Sequence, residues 1–354
     1  MTLFLGGGSA LFVSLAMAKH SGSSDTLGSG VVFYLLLGIA LVGIEISSGA
    51  SFGDTLFSGL KSNSDFQADY FISLIMLCFV LPTGIFNGVF LFYDKLYLQP
   101  LMNLFFSILI VLGLIGLFNV TVITTQSVVI VLVFAACVRF FVSLFVSLHL
   151  HRINWKLLGF VNEISFYKNL FVSGLSVGLI FIIPFVFRGE LPRYVDGGYA
   201  LAAVAFKVSD LIVALLIIPI ASLLLKRNAL PFGFGLLATF FTALVTSLLA
   251  CWAIEHIPAI YNLKVEEFDI VRFSLLSGIV TMPSVFVTLY FVNISRSNVS
   301  VVAGFLVLLA VLFLGDRFQQ LSFYYYYLYA MFVIFIVIHL IYYKYWFDET
   351  TSNG

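Results

Sequence analysis

The sequence predicts an all-α, polytopic membrane protein of about eleven transmembrane helices in two bundles, with no sizeable soluble domain. Three observations predict it. Of the 354 residues, 62% are hydrophobic and 10% charged. A soluble domain carries about 25% charge, so this chain has too little polar surface to face water, and hydrocarbon is its main solvent. Its apolar residues gather in runs of spanning length, separated by short loops rich in Gly, Ser, Asn, Asp and Lys. Its charged residues also sort by side when those loops are numbered alternately.

A spanning helix needs about 20 mostly apolar residues. Runs of this kind cover residues 2–18, 27–47, 70–92, 100–118, 126–148, 169–187, 199–225, 230–254, 271–292, 299–315 and 321–343. Each is expected to be helical, because an isolated strand leaves its backbone groups unpaired in lipid. Strands of a barrel would alternate, whereas Val128–Val133 and Phe332–Ile338 are unbroken apolar stretches. In the first run, Ala16-Met17-Ala18 resembles a signal-peptide cleavage site. No Lys or Arg precedes that run, as a signal peptide requires, so it is read as a span. Pro82, Pro184, Pro219 and Pro283 interrupt four runs, where each removes a backbone hydrogen bond and permits a kink. In the last run, Tyr324–Tyr327 at one end and Tyr342, Tyr343, Tyr345 and Trp346 at the other read as two aromatic belts. Tyr325 to Tyr343 spans about 27 Å of helix, close to the roughly 30 Å of a hydrocarbon core.

The loops on one side collect nine basic and five acidic residues, and those on the other six and ten. The basic side is expected to be cytoplasmic. That places the C-terminus in the cytoplasm and Met1 outside. The longest basic loop, Leu150 to Lys168, carries His151, Arg152, Trp155 and Lys156. It suits an amphipathic linker at the headgroup level. The expected organisation is a five-span bundle over 1–148, a cytoplasmic linker over 149–168 and a six-span bundle over 169–354.

Several function classes find no support. Net charge is zero, so bulk charge points to no nucleic-acid partner. Cys78, Cys137 and Cys251 lie far apart in apolar runs and read as buried thiols, not as a metal site or disulfide framework. Gly6-Gly7-Gly8 lacks the rest of a nucleotide loop; glycines at the head of an apolar run let helices approach closely. No hydrolase or kinase motif is present, the histidines are scattered, and loops are short. No enzymatic activity, metal or cofactor is expected.

Four charges fall inside spans: Glu45, Arg139, Lys207 and Asp210. Each costs about 2.5–3.5 kcal/mol at mid-bilayer, so they are expected to face a bundle interior or a watery cavity. Lys207 and Asp210 are three apart on one helix face, which suits a structural ion pair as well as a cavity site. Arg139 lies too deep to reach the interface easily; it either lines a cavity or is buried against carbonyls. Glu45 lies near a span end, where an interfacial carboxylate is the plain reading and ion coupling the functional one. Asn87, just past Pro82, adds a polar group to an inner face.

Three stretches together resemble a family. Leu5-Gly-Gly-Gly-Ser-Ala-Leu-Phe-Val-Ser-Leu-Ala-Met-Ala-Lys19 with Ser21-Gly-Ser-Ser-Asp25 is similar to the second helix and following loop of Wzx-like polysaccharide flippases. These belong to the multidrug/oligosaccharidyl-lipid/polysaccharide exporter superfamily. Asn87-Gly88 followed by Leu101-Met-Asn103 is similar to their helix four to helix five region. Gly197-Gly-Tyr-Ala-Leu-Ala-Ala-Val-Ala-Phe-Lys207-Val-Ser-Asp210, continuing through Pro219 to Lys226-Arg227, is similar to their eighth helix. The resemblance implies a MATE-like fold of twelve helices in two six-helix bundles. It implies transport of an undecaprenyl-diphosphate-linked oligosaccharide from the cytoplasmic to the outer leaflet for surface polysaccharide such as O-antigen or capsule. The setting would be the bacterial inner membrane, with other polysaccharide-assembly membrane proteins as further partners. Arg139, Lys207, Asp210 and Asn87 would line the cavity. The sequence starts where the family's second helix starts, which accounts for an odd number of spans.

Two other functions compete with the flippase. An ion-coupled multidrug exporter of the same superfamily needs an intramembrane acid in the first bundle, for which Glu45 is the candidate. A membrane polysaccharide polymerase or acyltransferase needs a long external loop with catalytic Arg or His, and the loops 47–69 and 255–269 carry few of these.

Overall fold

The structure is a computed structural model. It describes residues 6–19, 24–48, 72, 74–76, 78–95, 97–118, 124–151, 161, 163–195, 197–213, 217–226, 231–256, 264–314 and 317–352. The elements among them are helical: α1 (Gly6–Lys19), α2 (Ser24–Ser47), α3 (Thr83–Phe92), α4 (Leu98–Phe118), α5 (Thr125–His151), α6 (Ile164–Gly189), a 3-10 turn (Leu191–Arg193), α7 (Gly198–Ile212), α8 (Ile218–Lys226), α9 (Phe232–Glu255), α10 (Val265–Leu276), α11 (Gly278–Asn293), α12 (Ser297–Leu314) and α13 (Leu321–Ser352).

Among the described residues, nine helical stretches are long and apolar enough to cross a membrane. They coincide with nine of the eleven expected runs. The other two differ for local reasons. The first run is described as the 14-residue α1. The run 199–225 is divided into α7 and α8, with 214–216 outside the described residues. Val213 and Ile217, which flank 214–216, are π-helical, and Pro219 is the second residue of α8; a proline there locally disturbs the backbone ladder. Pro82 precedes α3, whereas Pro184 and Pro283 lie inside α6 and α11. The expected linker is shorter: Ile164–Lys168 already belong to α6, and 152–160 lie outside the described residues.

The chain divides into two compact units, Met1–Gly174 and Leu175–Gly354, the boundary falling inside α6. In the first unit, α1 packs along α3, and α5 closes on α3 and α4. Leu11, Val13, Ile85, Phe86, Val89 and Phe140 are buried there. The Phe86 and Phe140 rings meet edge to face at 5.5 Å. Tyr34 donates to the Leu170 carbonyl at 3.2 Å, tying α2 to the first turns of α6. By contrast, α4 turns Leu101, Leu104, Ile108, Leu112 and Ile115 outward, three to four residues apart. An outward face this apolar is a lipid face.

At Gly38 of α2, an added Cβ would lie 3.0 Å from the Cys78 Cα and 3.2 Å from its nitrogen. These are backbone atoms that cannot rotate away, so glycine here sets the approach of two helices. Gly38→Val is expected to destabilise the first unit by about 1–3 kcal/mol, read as a lower thermal midpoint in detergent. Cys78, Cys137 and Cys251 are free thiols, half-buried at helix surfaces and not enclosed in the cores as expected.

In the second unit, α11 is the central helix, packed by α8, α9, α12 and α13. Ser277, Thr281, Ser284 and Thr288 are buried along it. Each returns its hydroxyl to a carbonyl one turn back, which is how a buried hydroxyl is satisfied in lipid. His339 of α13 is buried, its Nε2 2.8 Å from the Ser300 Oγ and its Nδ1 2.7 Å from the Phe335 carbonyl. That carbonyl can only accept, so Nδ1 carries the proton and Ser300 donates to Nε2. The first of the two expected aromatic belts turns largely inward. Tyr324 and Tyr325 are fully buried, and Tyr326 is the exposed ring of the cluster. Tyr324 stacks on Phe187 at 4.0 Å and donates to the Phe187 carbonyl at 3.1 Å. Tyr325 shares a 2.7 Å hydrogen bond with Ser274. These rings fasten helix ends together where membrane-facing anchors were expected.

Candidate functional site

Arg139 is carried by α5. Along that helix Ala135, Ala136, Arg139, Phe140, Ser143, Leu144, Ser147 and Leu148 are buried, a single stripe at three- to four-residue spacing. Arg139 therefore faces inward, 4% exposed. The small side chains on either side leave its guanidinium room to extend toward α4. There Asn103 and Phe106, three apart on one face, receive it. Arg139 Nη2 donates to Asn103 Oδ1 at 2.6 Å. The guanidinium carbon lies 5.3 Å from the centre of the Phe106 ring, within cation–π range. Arg139 Nε is buried and has no hydrogen-bond partner. Among the described residues, no carboxylate pairs with Arg139.

This arrangement is electrostatically incomplete. A buried charge is normally paired with an opposite charge. Here one neutral amide oxygen and one aromatic face hold a full positive charge midway along the Gln126–Leu150 span. Such a group attracts an anion and repels a cation.

The other expected site residues fall as follows. Asn87 is buried on α3. It lies in the same unit as Arg139, on helices that touch through Phe86 and Phe140, with no hydrogen bond between the two. Glu45 is 5% exposed although Ile44 and Ile46 beside it are exposed. The carboxylate expected near the span end is thus enclosed, on the one side of α2 that turns inward here. Lys207 lies in the other unit, on the exposed face of α7 with Val204, which is 71% exposed, and Val208. The opposite face of α7, Ala202, Ala205 and Phe206, is buried, with Ala205 packed against Val271 and Leu275 of α10. Among the described residues no carboxylate pairs with Lys207. Asp210 is on α7, and its side chain lies outside the described residues.

Two residues escaped the sequence reading. Asn103 appeared there as part of a resemblance, not as a partner of Arg139. Its signal is a lone amide inside an apolar run. Arg188, read as a loop residue, is in the last turn of α6. Its guanidinium lies over Phe185 at 5.6 Å and Phe206 at 5.1 Å, and its Nε donates to the Pro184 carbonyl at 3.2 Å. The aromatic residues at 185 and 206 are its signal, legible only once α6 and α7 are side by side.

No family model matches the sequence, and no curated protein matches it. Solved structures do match. A multidrug resistance MATE family transporter of the MOP superfamily, in its outward-facing conformation, aligns with a TM-score of 0.67 at 13% identity, covering 99% of this chain and 83% of that one. An inward-facing conformation of a multidrug resistance MATE family transporter aligns with a TM-score of 0.65 at 12% identity, covering 99% and 88%. The chain is a multi-pass membrane protein with the fold of MATE transporters.

Proposed function

We propose that this chain is a membrane transporter that moves the anionic head group of an undecaprenyl-diphosphate-linked oligosaccharide from the cytoplasmic to the outer leaflet of the bacterial inner membrane. The observation that carries this reading is Arg139: a buried cation, at mid-membrane depth, with a neutral side-chain partner. A diphosphate-sugar head group cannot cross hydrocarbon unaided, since each unpaired polar group costs several kcal/mol. A fixed cation midway offers its charge a resting point while the prenyl tail stays in lipid. In the first unit Asn87 is a further polar group of this reading, and Lys207, exposed on α7, and Asp210 are the residues the sequence resemblance assigns to it in the second. The transporter fold and the sequence resemblance to polysaccharide flippases point the same way. In this reading the C-terminus is cytoplasmic, and the partners are the lipid-linked oligosaccharide, membrane lipids and other polysaccharide-assembly membrane proteins.

The test is reconstitution. Vesicles containing the protein and a fluorescent lipid-diphosphate oligosaccharide are exposed to an impermeant quencher. Protein-dependent loss of the protected inner-leaflet signal is expected. A protected fraction equal to that of empty vesicles overturns the reading.

A second reading, ion-coupled multidrug export, is favoured by one observation, the burial of Glu45. An enclosed carboxylate in the first unit suits a proton or sodium site. In the flippase, Glu45→Gln is expected to retain flipping and to lose any acceleration by an imposed proton or sodium gradient. Gradient-driven efflux of a cationic dye by the unaltered protein, abolished in Glu45→Gln and unaccompanied by oligosaccharide flipping, selects the exporter instead.

A further inference from the structure

The guanidinium of Arg139 has two donors on one edge, Nε and Nη2, arranged as a fork that matches two oxygens of a carboxylate or phosphate. Asn103 Oδ1 engages Nη2, while Nε on the same edge is buried without a partner. The ring of Phe106 meets the guanidinium carbon at 5.3 Å and takes neither donor of that edge. A single amide oxygen thus occupies half of a two-pronged receptor. It does so without neutralising the charge, because an amide carries none.

We propose that the Nε–Nη2 edge of Arg139 receives one phosphate-type oxyanion, and that Asn103 is the specificity-determining residue that keeps the cation oriented and uncancelled until the oxyanion displaces it. This deepens the flippase reading and rests on it for the substrate. A carboxylate at 103 would bind the guanidinium permanently and shut the anion out. An asparagine holds it loosely enough to be exchanged, since a charge-assisted bidentate pair is about twice as strong as a bond to a neutral oxygen. The helix that carries Asn103 turns an apolar face outward, so hydrocarbon, the medium of a prenyl tail, lies against α4.

The chemistry fits two sources of oxyanion, a soluble diphosphate and a lipid head group, and the test separates them. Purified full-length protein is placed in nanodiscs of zwitterionic phosphatidylcholine and titrated with inorganic pyrophosphate. In parallel it is placed in nanodiscs containing phosphatidylglycerol. The thermal midpoint is read in both, and flipping is read in vesicles as above. The unaltered protein is expected to gain a midpoint shift with at least one probe, because a ligand bound to the folded state alone stabilises it.

Asn103→Asp is expected to keep the protein's abundance in the membrane and a midpoint no lower than that of the unaltered protein. It should lose the ligand-induced shift and slow flipping by at least about ten-fold, in keeping with the strength of a close charge pair. Asn103→Ala, which removes the contact but leaves the cation uncancelled, is expected to slow flipping by only about two- to three-fold and to keep the shift. A purely structural Asn103 predicts the reverse order, with Asp tolerated and Ala damaging, and that order overturns the proposal. Absence of a shift in the unaltered protein with either probe also overturns it. A shift lost in Asn103→Asp, with no flipping by any form, sustains the oxyanion site and overturns the flippase reading alone.

Discussion

Arg139→Ala is expected to abolish oligosaccharide flipping while leaving the protein in the membrane at its usual level. The first half follows from charge. If the head group rests mid-membrane on the Arg139 guanidinium, removing that cation restores the cost of an unpaired anion in hydrocarbon, several kcal/mol, or at least about a hundred-fold in rate. The second half follows from the pairing. A buried cation with a neutral partner is a burden on folding, so its removal leaves the orphaned Asn103 oxygen as the main new cost, about 1–3 kcal/mol, offset by one fewer charge to bury. Arg139→Lys separates charge from geometry. It keeps the charge but not the fork, and is expected to restore a minor part of the rate. The measurement is flipping in reconstituted vesicles together with membrane abundance. Full-rate flipping by Arg139→Ala removes the role assigned to this residue.

The largest loss of stability is expected from Tyr324→Ala. Its side chain is fully buried, stacked on Phe187 at 4.0 Å and on Tyr194 at 5.6 Å, and bonded to the Phe187 carbonyl. In water-soluble proteins, truncating a buried aromatic to alanine costs about 3–5 kcal/mol. Within a membrane the part due to transfer from water shrinks, while the lost packing contacts remain, so about 3 kcal/mol is expected. Tyr324→Phe keeps the stack and gives up the hydroxyl bond, at about 1 kcal/mol. Thermal unfolding in detergent orders the three proteins. Equal midpoints for the alanine and phenylalanine variants would show that the packing, and not the hydroxyl, had been given the wrong weight.

Most of the architecture is legible in the sequence because lipid imposes one rule: a run of about 20 apolar residues must satisfy its own backbone as a helix. Nine described spans coincide with runs read from composition alone. The π-helical turns between α7 and α8 are less legible, because the apolar run continues through them. The depth of Arg139 is visible in its span, and so is the expectation that it turns inward. Its partner is not. Asn103 lies 36 residues away, and helix pairing is a tertiary fact that no spacing encodes. The tyrosines misled for a related reason. A ring with one polar tip suits a membrane interface and suits equally well a buried helix end with a spare carbonyl acceptor. Tyr324 and Tyr325 take the second option. The enclosure of Glu45 is not legible either, because sequence position gives distance from a span end, not which way a helix is rotated.

The last helix carries a mechanical consequence. Leu321–Ser352 runs for 32 residues, about 48 Å, against a hydrocarbon layer of about 30 Å. The whole helix is a long lever arm: a ten-degree tilt of α13 about its Leu321 end would swing Ser352 by about 8 Å. A fluorophore at that tip would turn a small rocking of the C-terminal unit into a displacement large enough to time in single molecules.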